Sequence, residues 1–342
     1  TGKNPARLHI THAIPIQGHL RMKGPLPLVP AIYRKNLPLD EVTIAEALKP
    51  AGYRSASVGK WHACWAKEYY PEHQGFDRNV AGNNMGNPGE YFHPYRGRWR
   101  MTPRHPWVEW RTIAGGEPGE YLTDRLTDEA IRFIEQSADG PFLLYFPHYA
   151  VHTPLEAKKE LIAKYRRKPK GKHHKNPVYA AMIESVDESV GRMMTWLKET
   201  GLDEDTLVIY MGDNGHFWGE HGLIDKRCAY EESMRIPMLA HCPALLRPGT
   251  RVEQMVANID IAPTILEAAG VKPGTAMDGR SFLKLATGQA DPVDWRKGLL
   301  YEYYWEWSFP HTPTTFALRT DRYKLIQYHG IWDTEELYDM RN

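Results

Sequence analysis

Apolar and polar positions alternate between two periods along this chain. Short apolar runs read as strands: one leads into Gly59-Lys60-Trp61-His62, and two more span Phe142 to Tyr149 and Thr206 to Gly212. Each ends in ionisable or amide side chains: Lys60 and His62, then His152, then Asp213 and Asn214. Helical periodicity fills the intervals. Ile44, Ala47 and Leu48 share a face in a helix predicted over 40–53, which Asp40 or Thr43 can cap and Gly52 ends. Pro50 in its last turn predicts an early end to its hydrogen bonding. Leu122, Leu126, Ala130, Phe133 and Ile134 make a stripe over 120–136, broken by Gly140-Pro141. Met182, Val186, Val190, Met193 and Leu197 make another over 176–200, closed by Gly201. A helix feeding the third strand from the second suits a right-handed crossover within one sheet.

Other stretches lack such order. Residues 1–39 are rich in Pro and Gly and read as an extended loop, and residues 69–119 as a long loop shaping the rim of a site. A short helix is expected after His152-Thr153-Pro154, and another over 260–270; residues 272–295 read as a linker. The tail differs: 298–304, 315–319 and 322–328 are β-rich, with Thr320-Asp321 as a two-residue hairpin connection. Strands alternating with helices, then a run of strands, predict an α/β fold. Its central, largely parallel sheet is flanked by helices, with a smaller C-terminal antiparallel β subdomain. The expected division is a catalytic domain over 1–272 and a C-terminal subdomain over 273–342.

Composition narrows the chemistry. With 342 residues, 42% of them hydrophobic, the chain can bury a sizeable core. A formal net charge of +1 calls for neither nucleic acid nor an anionic membrane, and no apolar stretch is long enough to span a bilayer. The aromatic content, 11 Trp and 19 Tyr, serves cores as well as carbohydrate or aryl sites. The segment 164–175 is dense in Lys, Arg and His; it is either a solvated loop or a patch for a polyanionic substrate. Cys64, Cys228 and Cys242 form neither a disulfide framework nor a metal-binding spacing.

In open α/β sheets ligands bind beyond the carboxyl ends of the strands, which makes the three strand-end clusters one candidate site. Asp213 and Asn214 offer hard oxygens suited to Ca²⁺ or Mg²⁺; zinc through His216 and His221 is a rival without a third ligand. Lys60 and Lys226 are cations able to hold an anionic ester oxygen, and His62 and His152 are suited to proton transfer near neutral pH. Cations, metal ligands and proton carriers together suit hydrolysis of a phosphate or sulfate ester.

Several stretches taken together resemble the formylglycine-dependent (type I), arylsulfatase-like sulfatases of the alkaline-phosphatase superfamily. They are Thr1-Gly2-Lys3-Asn4-Pro5-Ala6-Arg7, Gly59-Lys60-Trp61-His62, Gln74-Gly75-Phe76-Asp77 and Val151-His152-Thr153-Pro154. Gly212-Asp213-Asn214-Gly215, Gly219-Glu220-His221-Gly222-Leu223 with Lys226, and Asp260-Ile261-Ala262-Pro263-Thr264 follow. Arg319-Thr320-Asp321-Arg322-Tyr323-Lys324 and Glu336-Leu337-Tyr338-Asp339 complete the series. The resemblance implies a sulfatase acting on a sulfated carbohydrate or aryl sulfate, with one Ca²⁺ held partly by Asp213 and Asn214. It implies that Lys60 and Lys226 bind the sulfate, that His152 protonates the leaving alcohol and that His62 helps to break down a covalent sulfated intermediate. It also implies export, to periplasm, lysosome or outside the cell.

One part of the family pattern is missing. The family nucleophile is a cysteine in Cys-x-Pro-x-Arg, converted to formylglycine, and none of the three cysteines fits; the family's Asp-Asp metal pair is absent too. The expectation is a stretch truncated at both ends, inactive alone. Alternatives are a phosphodiesterase or phosphonate hydrolase of the same superfamily, or a non-catalytic binder of sulfated glycans. For substrate choice the aromatic and His-rich stretches nominate His93, Trp307 and His311.

Overall fold

The computed structural model describes residues 1–11, 31–95, 113, 115–289, 292–306, 309–330 and 334–341. They form two compact units, one of residues 38–202 and one of residues 1–37 with 203–342.

In the 38–202 unit, helix α1 (Ile44–Leu48) starts at a capping box: Thr43 Oγ1 accepts the Glu46 amide at 3.2 Å, and Glu46 Oε2 accepts the Thr43 amide at 2.8 Å. Pro50 turns the continuation into a 3₁₀ turn, and Gly52 ends it at φ 83°. Strand β1 (Arg54–Val58) then runs through the middle of a three-stranded parallel sheet, between β2 (Arg78–Val80) and β3 (Phe142–Tyr145). Its last four residues are buried, as a central strand of a covered parallel sheet requires. β2 lies inside the stretch expected to be irregular; three residues reading Arg-Asn-Val carry no period that would announce a strand.

Helix α2 (Leu122–Glu135) buries the expected stripe. Helix α3 (Lys159–Arg167) extends into the basic segment, and 166–176 are exposed. Helix α4 (Pro177–Glu199) is capped by Asn176, whose side-chain oxygen accepts the amides of Val178 and Tyr179. Its buried line is only partly the expected run of large apolar residues. Met182 and Leu197 are buried as expected, but Ala181, Ser185 and Ser189, four residues apart, are buried with them, while Val186, Val190 and Met193 are only part-buried.

In the other unit, β4 (Val208–Met211) pairs antiparallel with a later strand, β7 (Met238–His241), so the expected one-sheet crossover from β3 is not the ladder it makes. Between them lie the two-residue strands β5 (Phe217–Trp218) and β6 (Ile224–Asp225), paired as a hairpin, and helix α5 (Glu231–Met234). Helices α6 (Ile261–Ala268) and α7 (Leu283–Ala286) follow. The stretch expected as a linker is packed: Phe282, Leu285 and Trp295 are buried against Ile209, Met238 and Val252. The C-terminal strands β8 (Gly298–Tyr303), β9 (Thr314–Thr320), β10 (Tyr323–His329) and β11 (Glu335–Asp339) form one antiparallel sheet in the order β11-β10-β9-β8. The expected β9–β10 hairpin forms, but its connection is Asp321-Arg322, one residue later than Thr320-Asp321, because Thr320 ends β9 and its Oγ1 accepts the Tyr323 amide.

Candidate active-site residues

The Lys60–His62 segment is held by backbone at the carboxyl end of β1. The Gly59 amide donates to Val80 O and the Lys60 amide to Pro147 O, both at 2.8 Å, while the His62 amide donates to Asn83 O at 3.0 Å. These bonds carry the chain past both neighbouring strands, which explains why position 59 is glycine. Gly59 has φ 119°, and a Cβ there would stand 2.0 Å from Pro147 O. Trp61 anchors the segment. Its Nε1 donates to Tyr69 O at 3.1 Å, and its ring meets Phe76 and Tyr145 edge-on at 5.9 and 6.4 Å. His62 itself sits at φ 53°, a left-handed conformation uncommon for a residue with a Cβ and of a kind that gathers at functional sites.

His152 follows the β3 exit. Its amide donates to Tyr149 O at 3.0 Å, and its Nδ1 lies 3.2 Å from Thr153 O and 3.3 Å from Thr153 Oγ1. Through the Lys60–Pro147 bond, the structure places the two segments carrying Lys60, His62 and His152 beside one another. His93 makes ring contacts elsewhere in this unit, edge-on to Tyr95 at 5.5 Å and against Gly116.

The remaining candidates lie in the other unit. Asp213 and Asn214 are exposed just past β4. Asp213 Oδ1 accepts the Asn214 amide at 2.8 Å, and Asn214 Nδ2 donates to Gly215 O at 2.7 Å, which leaves Asn214 its oxygen as acceptor. Gly215 is again a close-approach glycine, since a Cβ would stand 1.9 Å from Glu232 O. A turn of this kind offers two hard oxygens of the six to eight that Ca²⁺ takes. The donors fit a hard cation in kind and fall short in number; among the described residues no group of three or more His, Cys, Asp or Glu gathers as a metal site. His216 packs on Trp218, and His221 stacks on Tyr230 at 4.3 Å with Glu232 Oε2 at 3.1 Å from its Nε2, so the two histidines have separate partners.

Lys226 follows β6, and its carbonyl accepts Ser233 Oγ at 2.6 Å. Burial lowers the His216 pKa; the Asp225 carboxylate opposes the shift and the Lys226 ammonium adds to it. His311 is exposed, and Trp307 lies outside the described residues.

The sequence reading missed partners that only the fold brings in. Next to Lys226, the Arg227 guanidinium lies 3.2 Å from the centre of the Phe309 ring and 3.4 Å from Glu306 Oε1. Tyr91 and Tyr149 were missed as well; both are buried and both hydrogen-bond around His152. No spacing signal marks a tertiary contact of this kind. The cysteines carry no sign of a poised nucleophile. Burial pushes the Cys64 thiol up to about 12 and raises Cys228 and Cys242 too, the opposite of what a reactive thiolate needs.

The Sulfatase family model matches residues 1–271, and the model for the C-terminal part of N-sulphoglucosamine sulphohydrolase matches 219–342. The chain belongs to the sulfatase family. It is similar to an N-acetylglucosamine-6-O-sulfatase of Bacteroides thetaiotaomicron, 26% identical over 88% of this chain and 67% of that one. The chain spans about half to two thirds of the length of the curated relatives it matches. Its fold is shared by a protein solved in complex with its substrate D-glucosamine-2-N,6-O-disulfate, with TM-score 0.73, 23% identity and coverage of 100% and 80%. A phosphonate monoester hydrolase of Agrobacterium radiobacter shares the fold too, with TM-score 0.66, 18% identity and coverage of 90% and 75%. No helix among the described residues is long and apolar enough to cross a membrane.

Proposed function

We propose that the gene product containing these residues hydrolyses a sulfate ester of a carbohydrate. The observation that carries the reading is the Sulfatase match over 1–271, because every proposed catalytic residue falls inside it. Lys60 and Lys226 hold the anionic sulfate as point charges, neutralising charge that builds up in the transition state. His152 gives a proton to the departing alcohol oxygen, and His62 takes one in the step that frees sulfate. Asp213 and Asn214 would supply two of the ligands of a Ca²⁺ ion, which when bound would contribute positive charge to the anionic site. The nucleophile, a formylglycine made from cysteine, comes from a segment outside these residues, and this stretch alone does not turn over. The whole protein is exported, a reading that the family resemblance supports. His93, Trp307 and His311 select among sulfated sugars.

The test is an assay of the complete gene product with added Ca²⁺ on 4-nitrophenyl sulfate, N-acetylglucosamine 6-sulfate and a phenyl phosphonate monoester. Turnover of the sulfates, lost in Lys60→Ala, is expected. A preference for the phosphonate reassigns the enzyme to the sister class, and binding of a sulfated glycan without turnover makes it a binder. An in-frame Cys-x-Pro-x-Arg in the DNA upstream of Thr1 is expected; sustained turnover by the 342-residue chain alone overturns the placement of the nucleophile.

A further inference from the structure

Two buried tyrosines tie together the turns that carry His62 and His152. The Tyr91 hydroxyl lies 2.8 Å from Tyr149 O and 2.8 Å from His152 O, sharing its one hydrogen between the two carbonyls. Tyr149 O also accepts the His152 amide at 3.0 Å, which closes the turn on itself. The Tyr149 hydroxyl reaches the other way and donates to Ala81 O at 2.9 Å. Ala81 O also accepts Asn83 Nδ2 at 3.2 Å, and Asn83 O accepts the His62 amide at 3.0 Å. A chain of hydrogen bonds therefore runs from the His152 carbonyl to the His62 amide through Tyr91 and Tyr149.

Tyr91 is built to stay where it is. It is fully buried; its amide donates to Glu156 Oε2 at 2.7 Å, and its carbonyl accepts the Leu122 amide at 2.8 Å, at the start of α2. Its ring stacks on Tyr121 at 5.9 Å, and the Tyr121 hydroxyl donates to Glu156 O. A phenol fixed at both backbone groups and by its ring is a rigid strut. The carbonyl it grips belongs to His152, whose imidazole must meet the leaving oxygen within hydrogen-bond reach.

We propose that Tyr91 is a positioning residue for proton delivery, holding the His152 turn so that the imidazole is aimed at the departing alcohol. The inference rests on the assignment of His152 as the acid. Misplacement of a catalytic group by about 1 Å can cost on the order of 100-fold in rate, and that loss falls only where the step needs the proton. An alkyl alcohol leaves poorly without protonation, whereas 4-nitrophenolate leaves readily without it.

The experiment compares Tyr91→Phe and His152→Ala in the complete gene product on N-acetylglucosamine 6-sulfate and 4-nitrophenyl sulfate. For Tyr91→Phe, kcat on the sugar sulfate is expected to fall roughly 10- to 100-fold, with kcat on the aryl sulfate changed less than about threefold and KM unchanged on both. An equal loss on both esters, or no loss on either, overturns the positioning role. If His152→Ala fails to separate the two esters, His152 is not the acid; the assignment falls first and the inference with it. Should Tyr91→Phe not fold, Glu156→Ala loosens the Tyr91 backbone while keeping its hydroxyl. It is expected to give the same selectivity in smaller measure, and a uniform loss again overturns the role.

Discussion

The His62 imidazole lies against Gly86 with no room for a methyl group between them: a Cβ on Gly86 would stand 2.7 Å from the ring Cε1 and 2.8 Å from Nδ1. Replacing Gly86 with Ala therefore acts on the histidine, which must swing or shift to clear the new carbon. We expect Gly86→Ala to lower turnover of the complete enzyme by roughly 10- to 100-fold while leaving its melting temperature within a few degrees. A large loss of stability with no selective loss of rate would show that the glycine serves folding alone.

Gly59 poses the opposite case. Any side chain there meets the Pro147 carbonyl at 2.0 Å, and the residue sits at φ 119°, outside the regions that L-residues favour. Backbone, unlike a flexible side chain, cannot step aside without breaking the Lys60–Pro147 hydrogen bond. Gly59→Ala is expected to destabilise the chain by roughly 3 kcal/mol in urea melts. A variant as stable as wild type would mean that the β1 exit is not held as described.

Much of this was legible in the sequence, for local reasons. Of the two candidate caps Asp40 and Thr43, Thr43 is the one used, because its short polar side chain satisfies an amide that no turn of helix reaches. The placement of Lys60, His62 and His152 just past apolar runs follows from strand geometry alone. What escaped has a tertiary cause. β2 is a strand because β1 and its buried surroundings recruit Arg78–Val80, not because three residues prefer it. The buried line of α4 is small and partly polar because Ser189 meets hydroxyl and imidazole partners, which no hydrophobic count foresees. The stretch 272–295 reads as a linker in composition, yet three of its apolar residues, Phe282, Leu285 and Trp295, are buried.

Asp260 shows a family motif with a structural job. The carboxylate is fully buried and grips Arg296 through both oxygens at 2.5 Å, while also accepting the amides of Ala257 and Arg280 at 2.8 Å. Removing its charge leaves the guanidinium, itself only 11% exposed, without its counter-ion. Breaking one side of such a pair costs more than the pair contributes, because the remaining charge stays desolvated. Asp260→Asn is expected to cost about 3–5 kcal/mol in urea melts. A cost under about 1 kcal/mol would show that the pair is solvated like a surface ion pair.

His148 gives the chain a pH dependence whose direction the hydrogen bonds fix. Thr127 Oγ1 donates to Thr123 O at 2.7 Å, so it accepts from Ser189 Oγ at 2.5 Å, and Ser189 Oγ must in turn accept from His148 Nε2 at 3.3 Å. The neutral ring carries its proton on Nε2, and Nδ1 is shut away from water with no hydrogen-bond partner among the described residues. Protonating Nδ1 would bury a charged donor with nothing to accept from it, so burial lowers the pKa from 6.5 to about 4. The residue as a whole is only part-buried, but its ring nitrogens decide the titration. Because the folded pKa is depressed, the unfolded chain binds the extra proton first, and stability falls as pH drops from about 6.5 toward 4. Each unit of depression is worth about 1.4 kcal/mol, so the loss attributable to His148 reaches up to about 3 kcal/mol. Carboxylates add their own acid loss in any variant, which makes the comparison with His148→Gln the informative one. Gln keeps a donor for Ser189 and does not titrate. Urea melts at pH 7.5 and 4.5 are expected to show a smaller fall in the variant, and parallel curves would mean that the ring is charged inside the fold.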